Sequence, residues 1–414
     1  MSEAKLYHPH RNQSVNSSID DHGDDEQMAK NIVEIKTALL CHGLRVDKNE
    51  PYCRDVVPST YPKGGKSRAG VAGSGKTFLL ENGEACNIGV LQPFLEKTPF
   101  EFRIIDGQGW ILRNGEKTIR ATIRKPKWHS TELFDVIQLH GKDSLATAIS
   151  NDCTYWKAGE GCKFCIIGVG EKMVEHEPEE IAKSIRRIEN ETELRATCDI
   201  EDEYNPSLSR SDLEKRKKYI APVDVNINSG TLRNGPKAYE RTISAIARVS
   251  NLPIGIQICP IKKQEIEALY SAGATEVSFN LEVYDEKTRK EAIPGKAKDN
   301  SLNDYLRAMR EAVKVFGDNQ VESWILIGLE PKTKTIEGIR AIAETGAIPL
   351  PKIFRPLYGS PYQMKAPPAV EEAIEVYKAW SDIVRECGLD PLETKAGCGR
   401  CNGCFPLREL IKDS

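Results

Sequence analysis

Leu145-Ala146-Thr147-Ala148-Ile149-Ser150-Asn151-Asp152-Cys153, continued by Cys162-Lys163-Phe164-Cys165, decides how the rest of the sequence is read. An apolar run of strand length opens directly into a loop carrying three thiols. Downstream, short apolar runs alternate with longer helical patterns, the signal of repeated β/α units. The runs predict strands over residues 145–149, 223–227, 254–258, 276–281, 323–327 and 352–355. Helices are predicted to follow each, over 178–190, 237–250, 262–272, 303–316, 335–345 and 370–387. Six such units predict an α/β fold, a partial parallel (β/α)6 barrel of the TIM type over residues 141–387. Reactive groups of such barrels sit at the carboxyl ends of the strands, so Cys153, Cys162 and Cys165 are expected at the barrel mouth.

Working outward, residues 1–28 lack apolar periodicity and are expected to form a mobile tail, the alternative being a metal site at His8 and His10. Residues 29–140 read as an accessory α+β region. Ile32, Ile35, Ala38 and Leu39 fit an amphipathic helix over 28–42, and residues 50–75, rich in Gly and Pro, read as an extended loop. Residues 100–105 and 118–123 alternate on either side of Asn114-Gly115, the signature of a hairpin. Residues 191–220, dense in charge, read as a solvated insertion. Residues 388–414 form a cysteine-rich tail.

The 414-residue chain is 29% charged and 39% hydrophobic with a formal net charge of -3, a soluble composition that offers no general attraction to nucleic acid or anionic membrane. It has neither an apolar run of spanning length nor an apolar signal-peptide core, so a cytoplasmic protein is expected. The twelve cysteines therefore read as reduced thiols rather than a disulfide scaffold. Six form two tight groups, Cys153/Cys162/Cys165 and Cys398/Cys401/Cys404. Cys41, Cys53, Cys86, Cys198, Cys259 and Cys387 are scattered and read as packed or idle thiols.

Three thiolates satisfy three irons of a [4Fe-4S] cube and leave the fourth iron open for a chelating ligand. A zinc site completed by His140 or His176 is the bland alternative. Further along, Asn228-Ser229-Gly230-Thr231 follows the second barrel strand, Asn280-Leu281-Glu282 the fourth, Ile325-Leu326-Ile327-Gly328-Leu329-Glu330 the fifth and Arg355-Pro356-Leu357-Tyr358-Gly359-Ser360-Pro361 the sixth. In this order and with Phe164 between the last two thiols, they resemble the radical S-adenosylmethionine (radical SAM) enzymes, biotin synthase above all. That family usually spaces its cysteines x3 then x2. The x8 spacing here, together with Leu139-His140-Gly141-Lys142-Asp143, resembles an uncharacterised biotin-synthase-related group.

The resemblance implies an oxygen-sensitive enzyme that works anaerobically, with a [4Fe-4S] cluster on Cys153, Cys162 and Cys165 and S-adenosylmethionine bound to it. It implies cofactor contacts from Phe164, Asn228, Ser229, Gly230, Thr231, Asn280, Glu282, Gly328 and Arg355. It also implies an electron donor such as a ferredoxin or flavodoxin. The second group, Cys398-Gly399-Arg400-Cys401-Asn402-Gly403-Cys404, reads as an auxiliary metal centre, iron-sulfur or zinc, with Cys387 as a candidate fourth ligand. An auxiliary cluster beside a biotin-synthase-like barrel implies sulfur insertion into a C-H bond, as also in archaeal-type lipoyl synthase components. The substrate is then a small molecule or an acyl-carrying protein. Radical methyl transfer and rearrangement are the alternatives. Gly70-x4-Gly75-Lys76-Thr77 matches the phosphate-loop pattern, but its polar upstream flank and broken downstream flank argue against nucleotide hydrolysis. A zinc-stabilised binding protein without catalysis is the third class.

Overall fold

The alternating pattern is realised as one seven-stranded sheet. The structure, a computed structural model, describes residues 21–57, 75–169 and 173–412. An accessory sheet contains β1 (Gly75–Leu80), β2 (Ala85–Gly89), β3 (Phe100–Ile105), β4 (Gln108–Arg113) and β5 (Glu116–Thr122) in the order β2-β1-β5-β4-β3, with antiparallel pairing throughout. The large sheet contains β6 (Gln138–His140), β7 (Ser144–Ala148), β8 (Asp224–Asn228), β9 (Ile254–Gln257), β10 (Glu276–Ser278), β11 (Val321–Ile327) and β12 (Ile348–Ile353). Its spatial order is the sequence order. β6 is antiparallel to β7, and the six strands from β7 to β12 are parallel neighbours. This is the expected partial (β/α)6 barrel, a curled half-barrel.

Helices α2 (Pro178–Asn190), α3 (Gly235–Ala247), α4 (Lys263–Ala272), α6 (Leu302–Phe316) and α7 (Lys332–Ala343) make the five crossovers, and α8 (Val370–Glu386) follows the last strand. A short α5 (Pro294–Asp299) precedes α6. Each crossover helix buries an apolar stripe, such as Ile181, Ile185 and Ile188 on α2. Their ends are set locally. Ser301 and Asp304 close a reciprocal cap at the start of α6, and Gly273, at φ 116, ends α4 in the left-handed region that a side chain would resist. The strands are buried on both faces because helices cover one side and the barrel interior covers the other. In β11 every residue except Trp324 is buried.

Several expectations are corrected. The first helix, α1, runs from Asp21 to His42, so residues 21–28 are helical rather than tail, while His8 and His10 lie outside the described residues. Asn114-Gly115 does turn a hairpin, but between β4 and β5; β3 turns into β4 at Asp106-Gly107, and β4 went unpredicted. The loop over 50–75 contains a helical turn at Cys53–Val56 and ends where β1 begins, and residues 58–74 lie outside the described set. The charged insertion packs only in part: over 196–204 Ile200 is buried, Arg124 pairs with Asp199 at 2.6 Å, Thr122 bonds Glu201 and Tyr204 bonds Asp55, whereas residues 205–219 are largely exposed, as expected. Gly75, Lys76 and Thr77 form the start of β1, paired with Gly89, Ile88 and Asn87. A phosphate loop needs these residues to open a helix whose N-H groups face the ligand, and here their backbone is extended.

The cysteine tail folds back into the barrel. α9 (Gly397–Cys401) crosses beneath the strand starts, and α10 (Leu407–Lys412) lies between α1 and α8. The buried core runs without interruption from Ile32 in α1 to Leu407 in α10.

Candidate active site

At the carboxyl end of β7, the loop with Cys153 turns over the mouth. The Thr154 N-H donates to the Thr231 carbonyl at 2.9 Å and the Gly230 N-H to the Ser150 carbonyl at 2.9 Å, tying this loop to the one after β8. Gly230 is required by the close approach: a Cβ there would lie 1.9 Å from the Asp152 carbonyl oxygen and 3.2 Å from Cys153 Cα. Ser229 also donates to the Ser150 carbonyl, and Asn228 is exposed beside them. The expected run 228–231 therefore lies against the cysteine loop.

Cys162 and Cys165 approach from the far arm. Both pack on a small apolar cluster of Phe164, Val283, Ala292, Ile293, Leu326, Leu329 and Phe354. Cys153, Cys162 and Cys165 are all half-buried and free, and the charges of Cys165 and Cys153 both bear on Cys162. Burial pushes the Cys162 thiol well above its usual range, with Lys296 opposing, and burial pushes Cys165 up to about 11. Such thiols ionise when a metal cation offsets the cost of desolvated negative charge. Among the described residues, no three His, Cys, Asp or Glu side chains are drawn tightly enough to hold a single metal ion.

Glu282 stands opposite with φ 67, a strained value for a residue with a side chain. Its backbone joins β11 through Glu282 N-H to Trp324 O at 2.7 Å and Leu326 N-H to Glu282 O at 2.9 Å. Lys296 Nζ lies 2.9 Å from Glu282 Oε1, with the two side chains only 15% and 10% exposed. Burial pushes the Lys296 ammonium down, but Glu282 and Tyr305 outweigh it and leave it well above the usual lysine range. Glu282 Oε2 is buried without a hydrogen-bond partner. Sequence reasoning missed Lys296. Gly295 brings α5 onto the cysteine loop, since a Cβ there would strike the Tyr155 ring at 2.4 Å, and nothing in Pro294-Gly295-Lys296 announces that approach.

Other expected residues have different work. Asn280 turns inward, donating to Gln257 Oε1 at 3.2 Å and accepting from Ser278 and the Trp324 N-H. Gly328, at φ 93, makes room for Pro368, whose ring would lie 2.8 Å from a Cβ. Arg355 is not a mouth residue. It is fully buried and donates to the Asn87 carbonyl at 2.8 Å and to Asn87 Oδ1 at 3.3 Å, tying the barrel to the accessory sheet.

The terminal thiols occupy the interior below. Cys398 N-H and Gly399 N-H donate to Glu322 at 3.0 and 2.7 Å, and Gly397 N-H donates to Asp224 at 3.2 Å. Cys398 Sγ receives Gln257 Nε2 at 3.6 Å and Lys352 Nζ at 3.5 Å. Cys401 Sγ lies against Gly141, where a Cβ would come within 2.6 Å. Burial raises Cys398 to about 11 and Cys401 to about 12, and Cys404 bears on both. Cys387 does not join them: it is half-buried at the end of α8, and the charges acting on it are Arg340, Glu344 and Glu386.

A half-barrel of parallel strands with a thiol loop on its first strand, a buried ion pair above and a second thiol trio inside is the class of site defined here. No protein-family model matches the chain. Bacteriochlorophyllide c C-7(1)-hydroxylase of Chlorobaculum limnaeum is 26% identical over 263 residues, and the match spans 60% of this chain and 60% of that protein. Among solved structures, methylornithine synthase is 15% identical with a TM-score of 0.43, covering 66% of this chain and 70% of that one. A radical SAM methyltransferase from Sphaerobacter thermophilus is 12% identical with a TM-score of 0.44, covering 75% and 81%. No helix among the described residues is long and apolar enough to cross a membrane.

Proposed function

We propose that the chain is a radical SAM enzyme whose cluster is held by Cys153, Cys162 and Cys165. The observation that carries this reading is the placement of three free thiols on the loop after the first parallel strand, beside the buried Glu282–Lys296 pair. The donor set fits: soft, half-buried free thiols, with a carboxylate oxygen of Glu282 that has no partner in the protein. When bound, the cluster and S-adenosylmethionine supply a carbon radical able to take hydrogen from an unactivated C-H bond. This chain's own residues orient and shield. Lys296 and Glu282 would offer a buried cation and an unpaired carboxylate oxygen to the bound cofactor, Phe164 would close its apolar side, and the 228–231 loop fixes Cys153. The relative's name describes hydroxylation, also a change at carbon, and supports C-H chemistry as the class.

Anaerobic reconstitution tests the reading: iron, sulfide and an electron-spin signal that changes on adding S-adenosylmethionine are expected, and all are lost from a variant with the first trio changed to alanine. A zinc-only, colourless protein contradicts it. The finer reaction turns on what ends the substrate-centred radical. The second trio inside the same barrel, with Lys352 and Gln257 on Cys398, supports an auxiliary cluster and sulfur insertion. A second reading, return of hydrogen in a rearrangement or inversion, is favoured by the thiol of Cys259.

A further inference from the structure

β9 ends at Gln257, but its pairing continues as Ile258 N-H donates to the Ser278 carbonyl at 3.1 Å. Alternate residues of an extended strand share a face, so Cys259 follows Gln257, whose amide reaches Cys398 in the interior. Cys259 is free and half-buried. Its sulfur lies 3.6 Å from Thr231 Oγ1, and Thr231 is the residue whose carbonyl holds the loop of Cys153. The charges of Lys296, Glu282 and Cys153 all bear on this thiol, so it belongs to the upper site. Two further polar atoms of that cluster, Glu282 Oε2 and the Tyr305 hydroxyl, are buried without hydrogen-bond partners in the protein, so both keep bonding capacity for a bound group.

We propose that Cys259 is a hydrogen-donating catalytic thiol that quenches a carbon radical formed over the barrel mouth. The inference rests on the radical reading above and deepens it. An S-H bond is weaker than an alkyl C-H bond, so a carbon radical within contact takes the thiol hydrogen downhill: the new C-H bond forms, the S-H bond breaks, and the unpaired electron passes to sulfur. One electron from a reduced low-potential iron-sulfur or flavin protein and one proton from solvent restore the thiol. Hydrogen leaves the substrate on one side and returns from Cys259 on another, which is the balance of an inversion or rearrangement rather than sulfur insertion. The first trio is committed to the cluster, whereas Cys259 keeps its hydrogen.

The test uses the cluster-loaded enzyme with S-adenosylmethionine and chemical reductant in D2O, without substrate. Water O-H bonds are too strong to give hydrogen to carbon, so deuterium in the 5'-deoxyadenosine formed must come from an exchanged weaker bond. The wild type is expected to give mostly singly deuterated product. The deuterated fraction per product formed should fall several-fold in Cys259→Ser and Cys259→Ala but persist in Cys387→Ser, a free thiol at the end of α8. Matching electron-spin signals with S-adenosylmethionine show that the variants are loaded alike. An unchanged deuterated fraction in both Cys259 variants overturns the proposal, while absence of 5'-deoxyadenosine from every protein overturns the radical reading itself. In the cluster-free reduced protein, dibromobimane, which couples neighbouring thiols, should bridge Cys153 to Cys259. Absence of that pair from the mapped peptides counts against the proposed placement.

Discussion

Lys296 occupies the point where a carboxylate and two kinds of thiol meet, and its effect is separable from that of the cysteines. Truncating one partner of a buried ion pair leaves the other charge desolvated, at a cost of about 3–5 kcal/mol. Lys296→Met is therefore expected to lower the stability by an amount of that order, read as a lower urea midpoint, and Glu282→Gln with Lys296→Met to recover part of it. Equal stability of wild type and Lys296→Met contradicts the geometry. At this scale the sequence was most readable for the thiols, because spacing and position after a strand are linear features. It was least readable for Lys296 and Arg355. Nothing along the chain says that Gly295 presses α5 onto the cysteine loop, or that Arg355 turns away from the mouth to hold Asn87.

Among elements, the turn from β11 into α7 carries a pH-sensitive joint. Glu330 accepts the N-H groups of Tyr284 and Asp285 at 2.9 and 2.7 Å, and burial, only partly offset by those bonds, raises its pKa from 4.5 to about 7. A carboxyl raised in the folded state binds its proton more tightly there than in the unfolded chain. Its contribution is present at about pH 4.5 and is lost as pH rises through about 7, a loss of up to about 3 kcal/mol. Stability measured at pH 5 and pH 8 should differ by less in Glu330→Gln than in the wild type, since the amide oxygen still accepts both bonds. The terminal segment is a second such element. Glu322→Ala removes the acceptor for Cys398 and Gly399, bonds worth about 1.5–3 kcal/mol, so amide exchange there should quicken by roughly ten- to a hundredfold. Exchange limited to the wild-type rate contradicts that anchor. The helix and strand pattern of the barrel was legible because both periodicities were clean. The strand β4 was not: a single turn signal at Asn114-Gly115 was assigned to the wrong pair while Asp106-Gly107 went unread.

At the scale of the whole molecule, the accessory region, barrel and tail share one core. Lys36 of α1, fully buried, donates to Glu409 at 2.7 Å and to the Asn402 carbonyl at 2.9 Å, and Arg400 pairs with Asp143 beside Gly141. Lys36→Met should lower stability by about 3 kcal/mol and loosen α10, read as a lower urea midpoint with one cooperative transition. Two separate transitions contradict a shared core. The stretch Leu139-His140-Gly141-Lys142-Asp143 now has a physical account, since Gly141 gives Cys401 its space and Asp143 holds Arg400. Such contacts, 257 residues apart in the chain for Arg400 and Asp143, cannot be read from local pattern.

The most direct measurement is the yield of 5'-deoxyadenosine when anaerobically reconstituted, reduced protein meets S-adenosylmethionine. Stoichiometric or greater product from the wild type, and none from the variant with Cys153, Cys162 and Cys165 changed to alanine, is the result expected. Equal yields from the two proteins would contradict it.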